Sequence, residues 1–332
     1  MSTLLGSLRR RVLAPSFKAV SFSGRGFAVE PTEATARLEA IPQSVVAGFE
    51  WGIDSPGQWD LERRLDLVEA EYRGFAYEGA TMASAVLDAM SFRPSSRTRD
   101  LLLGPGQPHI FLTYIGIGFA MARLPRPLWK KIVPDISGTP YHPTMSWLAV
   151  DGYGFDRAYF DTGKIVDRQH VLQPYPWDGH PRYFSRAVDQ GIGRALWFIN
   201  GGHPGNVAAA VARFVPGRQA DLWSGVGLAA TFAGGADAEG LASLKAPAGP
   251  HAPELALGAV FATKARTYSG FVPPHTETGI RALGGVSIED AVRIADETEV
   301  AHDAGDEHTP AYEIWRDRIR REFSTSKLRS VA

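Results

Sequence analysis

Apolar residues recur at helical spacing along most of the chain. Leu61, Leu65 and Val68 lie three or four positions apart, with charged residues between them. The same spacing returns in residues 310–323, which begin with a proline suited to a first helical turn. Residues 110–122 are almost entirely apolar, as in a buried helix. These patterns predict a mainly α-helical protein.

Polar residues mark the ends of several predicted elements. Ser287 and Asp290 form a capping box in front of an apolar periodic run, which predicts a helix start. Residues 17–60 contain several glycines and prolines between short apolar runs. There we predict a strand at residues 18–23 and a helix at residues 32–39, within an irregular N-terminal segment.

The central part of the chain resembles itself. A Phe-x-Pro run followed by Arg-x-x-Asp-Leu occurs twice, and a Gly-x-Gly-x-Ala segment follows each copy. The paired positions are Phe92, Pro94, Arg97, Asp100, Leu101, Gly116 and Gly118, then Phe214, Pro216, Arg218, Asp221, Leu222, Gly225 and Gly227. Repeated helical units usually stack, since each buries a face that the other cannot bury alone.

We therefore predict two stacked multi-helix units that arose by internal duplication. Residues 1–60 form an N-terminal extension of the same domain. Residues 61–170 form the first helical unit and residues 182–270 the second, and a Pro- and Trp-rich linker joins the two units. Residues 271–332 supply the C-terminal helices.

Composition excludes several classes of function. The 35 basic and 36 acidic side chains give a formal net charge of −1, so no global basic field attracts nucleic acid. The chain has no cysteine, which excludes disulfides, thiolate nucleophiles and zinc–thiolate sites. We expect a cytoplasmic protein that does not bind nucleic acid.

One segment offers an alternative location at a membrane surface. Residues 4–13 combine leucines with three consecutive arginines, a pattern that also suits an amphipathic helix lying on lipid. The apolar run at residues 110–122 is too short to span a bilayer. A peripheral membrane contact is therefore a second interpretation beside an ordinary packing helix.

The familiar catalytic and metal-binding motifs are missing or incomplete. Gly152–Gly154 and Gly191–Gly193 lack the third glycine of a dinucleotide fingerprint, and no clear apolar strand precedes Gly225–Gly227. Ser224 lacks the first glycine of a nucleophile elbow. Acidic residues and histidines cluster at residues 302–308, but a solvated loop explains them better than a metal site does. We predict no metal ligands, and the cofactor remains unknown.

Charged residues inside apolar, glycine-rich helices are the clearest sign of specific chemistry. Arg97 and Asp100 lie three positions apart, as do Arg218 and Asp221. Unpaired burial of such groups is costly, so we predict that each arginine pairs with the aspartate on its own helix. Structural ion pairs, repeated because the unit is repeated, are the simplest interpretation.

Aromatic and charged residues beside the glycine-rich turns predict an apolar pocket with a few polar groups. The predicted pocket residues are Tyr77, Glu78, Tyr153, Trp197, Trp223, Arg218 and Asp221. The predicted catalytic candidates are His275, Glu277, Asp189 and Arg194, of which the first two follow Pro273–Pro274 as a possible acid–base pair. Ordinary core packing is the alternative explanation of the aromatic residues.

Several motifs, in order, resemble one family over residues 8–322. Its carriers here are the sequences Tyr-Glu-Gly-Ala-Thr-Met at residues 77–82, Gly-Pro-Gly-Gln-Pro-His at 104–109, Leu-Ala-Val-Asp-Gly-Tyr-Gly-Phe at 148–155, Asp-Gln-Gly-Ile-Gly-Arg-Ala-Leu-Trp-Phe at 189–198, Ala-Asp-Leu-Trp-Ser-Gly-Val-Gly-Leu-Ala at 220–229, Pro-His-Thr-Glu at 274–277 and Pro-Ala-Tyr-Glu-Ile-Trp at 310–315. The chain resembles the UnbL-like proteins, domain-of-unknown-function family 1702.

The resemblance implies a role in secondary metabolism. Members of that family typically accompany the iterative polyketide synthase of enediyne antibiotic gene clusters, together with an UnbU-like membrane protein and an UnbV-like protein. The resemblance thus implies that a linear polyene is turned into the enediyne core with these companions. It assigns no catalytic residue.

Two classes of function remain open. The first is an enzyme, or a subunit of one, that binds a long conjugated polyene between the two helical units. The second is a non-catalytic scaffold that holds the membrane partner close to the polyketide synthase. A cyclase of isoprenoid or polyene chains is a further alternative.

Overall fold

The computed structural model describes residues 16–91 and 95–329, with side chains as far as Ser324. Every regular element in these ranges is a helix, so the predicted mainly α fold is confirmed. The predicted surface segment at residues 4–13 lies outside the described residues, as do Phe92 and Pro94 of the repeat.

Most connections between the α-helices are short, and the two longest span residues 124–146 and 161–180. They are α1 (Phe17–Val20), α2 (Phe22–Arg25), α3 (Glu33–Asp54), α4 (Gln58–Asp66), α5 (Ala70–Ala89), α6 (Arg97–Leu103), α7 (Ile110–Arg123), α8 (Trp147–Phe160), α9 (Pro181–Ile199), α10 (Pro204–Ala212), α11 (Pro216–Ala233), α12 (Ala238–Ser243), α13 (Lys245–Ala248), α14 (Ala252–Tyr268), α15 (Pro274–Gly284), α16 (Ile288–Thr298) and α17 (Ala311–Arg329). Short 3₁₀ helices include Arg126–Lys131, and a π-helix spans Gly163–Asp167.

Backbone contacts divide the chain into two compact units. Unit 1 comprises the residues up to Ala28 and Glu39–Tyr153. Unit 2 comprises Val29–Leu38 and the residues from Gly154 onward. The duplication inferred from the sequence stays a prediction, although α7 and α11, which carry the two Gly-x-Gly segments, share a packing feature described below.

The strand predicted at residues 18–23 is wrong. Two short helices, α1 and α2, occupy this stretch. The hydroxyl of Ser16 accepts a hydrogen bond from the amide of Ala19 at 3.2 Å, and that of Ser21 accepts one from Gly24 at 3.0 Å. These caps satisfy amides at the starts of the helices, and they outweigh the β preference of the apolar run.

The helices predicted from strong periodicity are present. The apolar run at residues 110–122 forms α7, and its side chains are buried. Ser287 caps α16 by accepting a hydrogen bond from the amide of Asp290 at 3.0 Å. The last predicted helix is α17. Within the described parts of the chain, no helix is both long and apolar enough to cross a bilayer.

Glycine allows very close helix packing in unit 2. A Cβ atom on Gly225 would overlap a backbone carbonyl oxygen of α9, and one on Gly227 would overlap a carbonyl oxygen of α14. Gly193 on α9 and Gly258 on α14 have the same relation to α11. Positions i and i+2 lie roughly 200° apart around a helix. Each Gly-x-Gly pair therefore opens both flanks of one helix.

Unit 1 uses the same device. On α7, a Cβ atom at Gly116 would overlap a carbonyl oxygen of α5, and one at Gly118 would overlap a carbonyl oxygen of α8. Gly48 on α3 and Gly79 on α5 face each other's helix in the same manner. The two Gly-x-Gly segments noticed in the sequence thus perform one structural task in both units.

Candidate functional sites

Helix α6 and the end of α5 separate two surface cavities in unit 1. The larger, here called the Lys131 cavity, has a volume of about 660 Å³. Its lining residues are Ala85, Asp88, Ala89, Ser91, Ser95, Ser96, Thr98, Arg99, Leu128, Lys131, Ile132, Pro134 and Asp135. The smaller, here called the Ser84 cavity, has a volume of about 220 Å³. Its lining residues are Gly52, Ser55, Pro56, Gly57, Gln58, Leu61, Ser84, Arg97, Asp100 and Leu101.

Asp88 fastens the start of α6 to α5. One carboxylate oxygen accepts a hydrogen bond from the Ser95 hydroxyl at 2.5 Å. The other accepts hydrogen bonds from the amide and the hydroxyl of Thr98, at 2.9 and 2.8 Å. A carboxylate is favourable here because the amides of the first helical turn have no partner within their own helix. Asp88 therefore acts as a remote cap of α6, and both of its carboxylate oxygens accept hydrogen bonds.

The Lys131 cavity combines an apolar surface with cationic groups. Ala85, Leu128 and Ile132 contribute apolar surface. Arg99 and Lys131 bring positive charge, and the Nε of Arg99 donates to the carbonyl oxygen of Asp135 at 3.2 Å. The Asp135 carboxylate accepts hydrogen bonds from the side chain and amide of Ser137, which lower its pKa. The lining thus places two cationic and two carboxylate side chains beside an apolar surface.

A buried ion network occupies unit 2. Its members come from the N-terminal halves of α9, α11, α14 and α17. They are Tyr183, Arg186, Gln190, Asp221, Ser224, Glu254, Tyr312, Glu313, Arg316 and Arg320. Three arginines thus meet three carboxylates.

Glu313 is the centre of this ion network. One of its oxygens accepts hydrogen bonds from Arg186 at 3.0 Å and Arg320 at 3.1 Å. The other accepts from Tyr183 at 2.7 Å and from Arg316 at 3.0 Å. Burial alone raises the pKa of this carboxyl, but the three arginines and the Tyr183 hydroxyl lower it more, to about 2. Glu313 is therefore held as a carboxylate.

The pKa of Glu254, unlike that of Glu313, is raised. Burial raises the pKa of its carboxyl more than Arg316 and Arg320 lower it. One oxygen accepts from the Nε of Arg320, whereas the other is buried with no hydrogen-bond partner and lies 3.9 Å from Arg316. Within one network, Glu254 is thus the carboxyl that takes up a proton more readily than Glu313.

The ion network primarily joins helices. The Arg316 side chain is only 2% exposed and reaches Asp221 on α11 at 3.6 Å. Gln190 on α9 donates to the same carboxylate at 2.9 Å. Groups buried in this way fix the orientation of α9, α11, α14 and α17 within unit 2. The sequence carried a signal for it, since Glu313, Arg316 and Arg320 share one face of α17 at a spacing of three and four.

The predicted pairing of arginines with aspartates on their own helices is wrong. Arg218 forms a bidentate ion pair with Asp189 on α9, at 2.6 to 3.1 Å, and Asp221 pairs with Arg186. In unit 1, Arg97 donates to the Ser95 hydroxyl at 3.2 Å. Asp100 accepts from Ser96 at 2.7 Å. In unit 2 the ion pairs form between helices, because a buried charge must be paired and the opposite charge lies on the facing helix.

Asp189 and Arg194 both lie on α9. Burial raises the pKa of Asp189, and Arg218 opposes that effect. The guanidinium carbon of Arg194 lies 5.0 Å from the centre of the Phe155 ring, a cation–π arrangement. Trp197 and Trp223, predicted pocket residues, are fully buried, and the Trp197 indole donates to the carbonyl of Gly234 at 2.8 Å. These aromatic groups contribute to the core of unit 2.

His275 and Glu277 have separate contacts. The Nε2 of His275 lies 3.0 Å from the carbonyl oxygen of Phe232, to which the Arg266 guanidinium also donates at 2.7 Å. Both side chains thus reach a carbonyl in the last turn of α11, where cationic and donor groups are favourable. Glu277 is half exposed and pairs with Arg281 on its own helix at 2.9 Å. Whether either residue is catalytic stays a prediction.

Tyr77, Glu78 and Tyr153 belong to unit 1. The Tyr77 ring stacks on His109 at 4.7 Å, and burial together with Asp66 and Glu62 raises its pKa to about 12. Glu78 is buried on α5, and Tyr153 meets Trp129 edge-on at 4.9 Å. None of the predicted pocket or catalytic residues lines the Lys131 cavity or the Ser84 cavity.

Comparison with known proteins identifies a family. No curated protein and no solved structure matches the chain. The model of a family described as a protein of unknown function, DUF1702, matches residues 4–323, and therefore nearly all of the 332 residues. The chain thus belongs to the family of proteins of unknown function DUF1702.

Proposed function

We propose that this protein binds a linear, conjugated polyketide chain that ends in a carboxylate, as an accessory protein of polyene maturation in enediyne biosynthesis. The Lys131 cavity is the observation that carries the proposal. Its volume of about 660 Å³ falls within the range of about 300–1,000 Å³ typical of small-molecule sites. The resemblance to UnbL-like proteins supplies the polyene, and the cavity supplies the surface that would hold it.

The lining of this cavity suits such a ligand. Apolar residues, among them Ala85, Ala89 and Leu128, would contact the hydrocarbon chain. Lys131 and Arg99 would face the carboxylate. The two carboxylates in the lining, Asp88 and Asp135, already accept hydrogen bonds from hydroxyl and amide donors, so the cationic groups of Lys131 and Arg99 are the charged donors that the lining offers to a ligand carboxylate.

A conjugated tetraenoic fatty acid is a suitable probe. We expect saturable binding to the full chain, with a shifted absorption band because the chromophore moves from water to an apolar surface. Ala89→Trp should fill the cavity and abolish the shift. Lys131→Gln should weaken binding about tenfold, since a charge-assisted contact is lost.

Two comparisons make the experiment decisive. Lys130→Gln is the matched control, since Lys130 is exposed on the same 3₁₀ helix and does not line the cavity. The methyl ester of the probe should bind wild type more weakly than the acid, and the difference between acid and ester should be smaller in Lys131→Gln, where Arg99 is the one remaining cation of the lining. Equal binding of the acid by wild type, Ala89→Trp and Lys131→Gln would refute the proposed site.

A further inference from the structure

The Ser84 cavity contains an arginine and an aspartate that do not pair with each other. Arg97 and Asp100 both line it from α6, three residues apart. Among the described residues, Arg97 is bonded to Ser95, and Asp100 accepts from Ser96 with one oxygen. The Arg97 guanidinium has five N–H donors, and a carboxylate has two acceptor oxygens. Both groups therefore keep hydrogen-bonding capacity that a ligand can use.

Hydroxyl and amide groups complete the polar wall. Ser84 is only 4% exposed, yet it lines the cavity. The Ser55 hydroxyl oxygen is buried without a hydrogen-bond partner in the described structure. The Gln58 side chain donates to the carbonyl oxygen of Asp100 at 3.2 Å. The Ser55 hydroxyl therefore keeps hydrogen-bonding capacity beside the cavity.

Apolar residues also line the Ser84 cavity. Leu61 and Leu101 are buried members of the core cluster of unit 1, and both line the cavity. Gly52 and Gly57 add no side chain. The volume of about 220 Å³ lies below the usual range of drug-sized pockets, so the ligand must be small.

We propose that the Ser84 cavity binds a small zwitterion of the amino-acid class, with its carboxylate at Arg97 and its ammonium group at Asp100. Opposite charges that line one cavity without pairing are complementary to a ligand that carries both charges. A ligand with a single charge would contact one of the two groups and leave the other to solvent. This site is distinct from the Lys131 cavity and does not depend on the function proposed for it.

The test compares three molecules of similar size. L-Alanine carries both charges, propionate lacks the ammonium group, and ethylamine lacks the carboxylate. We expect alanine to bind the full chain about tenfold more tightly than either single-charge molecule, since one charge-assisted contact is lost in each. Amide chemical-shift changes at Ser55, Ser84 and Arg97 in nuclear magnetic resonance titrations would report binding at the site.

Two variants assign the charges. Arg97→Gln should reduce alanine binding to the level of ethylamine, with little effect on ethylamine itself. Asp100→Asn should reduce alanine binding to the level of propionate, with little effect on propionate. Arg63→Gln and Asp66→Asn are matched controls, because both residues are exposed on the neighbouring helix α4 and do not line the cavity.

The possible outcomes separate clearly. Preference for alanine that each site variant removes, and that both controls retain, supports the zwitterion site. Equal affinity for the three molecules would overturn the inference, as would the absence of saturable shifts at Ser55 and Ser84. Circular dichroism of the variants would show whether a loss of binding reflects unfolding. Because both substituted side chains are exposed, we expect folded variants.

Discussion

Residues with the same chemistry behave differently here because of their surroundings. Glu313 and Glu254 are both buried carboxyls in the first turns of helices. Four donors surround Glu313 and keep it charged, whereas Glu254 has a buried oxygen without a hydrogen-bond partner. The balance between desolvation and neighbouring arginines decides the direction of each pKa shift.

A pH prediction follows for Glu313. Its pKa falls from 4.5 in the unfolded chain to about 2 in the folded protein. The stabilisation from this group is therefore fully present above pH 4.5 and is lost as the pH falls toward 2. Glu313→Gln should lower the free energy of unfolding at pH 7 by about 3–5 kcal/mol, because it removes a carboxylate partner from the buried Arg316.

Chemical denaturation at several pH values would measure the effect. The difference between wild type and Glu313→Gln should shrink as the pH falls from 4.5 toward 2. Glu289→Gln, an exposed first-turn glutamate of α16, should change stability little at any pH. A difference for Glu313→Gln that stayed constant over this pH range would contradict the pKa shift.

At the scale of the element, sequence patterns predicted the helices well but not all of their partners. The apolar spacing and the Ser287 cap predict α7, α16 and α17 because these signals are local. The ion pair of Arg218 escaped prediction, since its partner Asp189 lies 29 positions away on another helix. The spacing of three residues favoured a pair with Asp221 on the same helix, whereas the contact actually made depends on which charged residue the neighbouring helix places opposite Arg218.

The glycine pairs give a prediction for α11. Gly225→Ala and Gly227→Ala should each lower the free energy of unfolding by about 1–3 kcal/mol, because the added Cβ would overlap a neighbouring backbone. Gly217→Ala in the first turn of the same helix is the control. It has open space around its Cβ position and should be neutral or stabilising by about 0.5–1 kcal/mol. Urea denaturation of the three variants would test the contrast, and equal effects at all three positions would contradict it.

At the scale of the whole molecule, the two cavities could not be predicted from the sequence. The Lys131 cavity is lined by residues 85–99 and 128–135, two stretches whose proximity depends on tertiary packing. The sequence does single out Arg97 and Asp100, because they are charged residues beside apolar ones. Their lack of mutual pairing could not be read from a spacing that normally favours an ion pair.

Ligand binding should stabilise the folded protein. At a free concentration about 100 times the Kd, a ligand that binds only the folded state adds about 2.7 kcal/mol. The tetraenoic acid should therefore raise the free energy of unfolding for the transition in which unit 1 unfolds. Denaturation with and without the probe would measure this, and Ala89→Trp should show no increase. A similar increase in that variant would indicate binding elsewhere on the molecule.

The attachment of α6 through Asp88 affects how loss-of-function variants must be interpreted. One carboxylate secures the wall that both cavities share, with Ser95 and Thr98 as its partners. A substitution at Asp88 would therefore disturb two ligands of unrelated chemistry together. Simultaneous loss of binding at both cavities in such a variant is therefore no argument that the two ligands share one pocket, and substitutions at residues that line a single cavity, such as Lys131 or Arg97, are needed to tell the two apart.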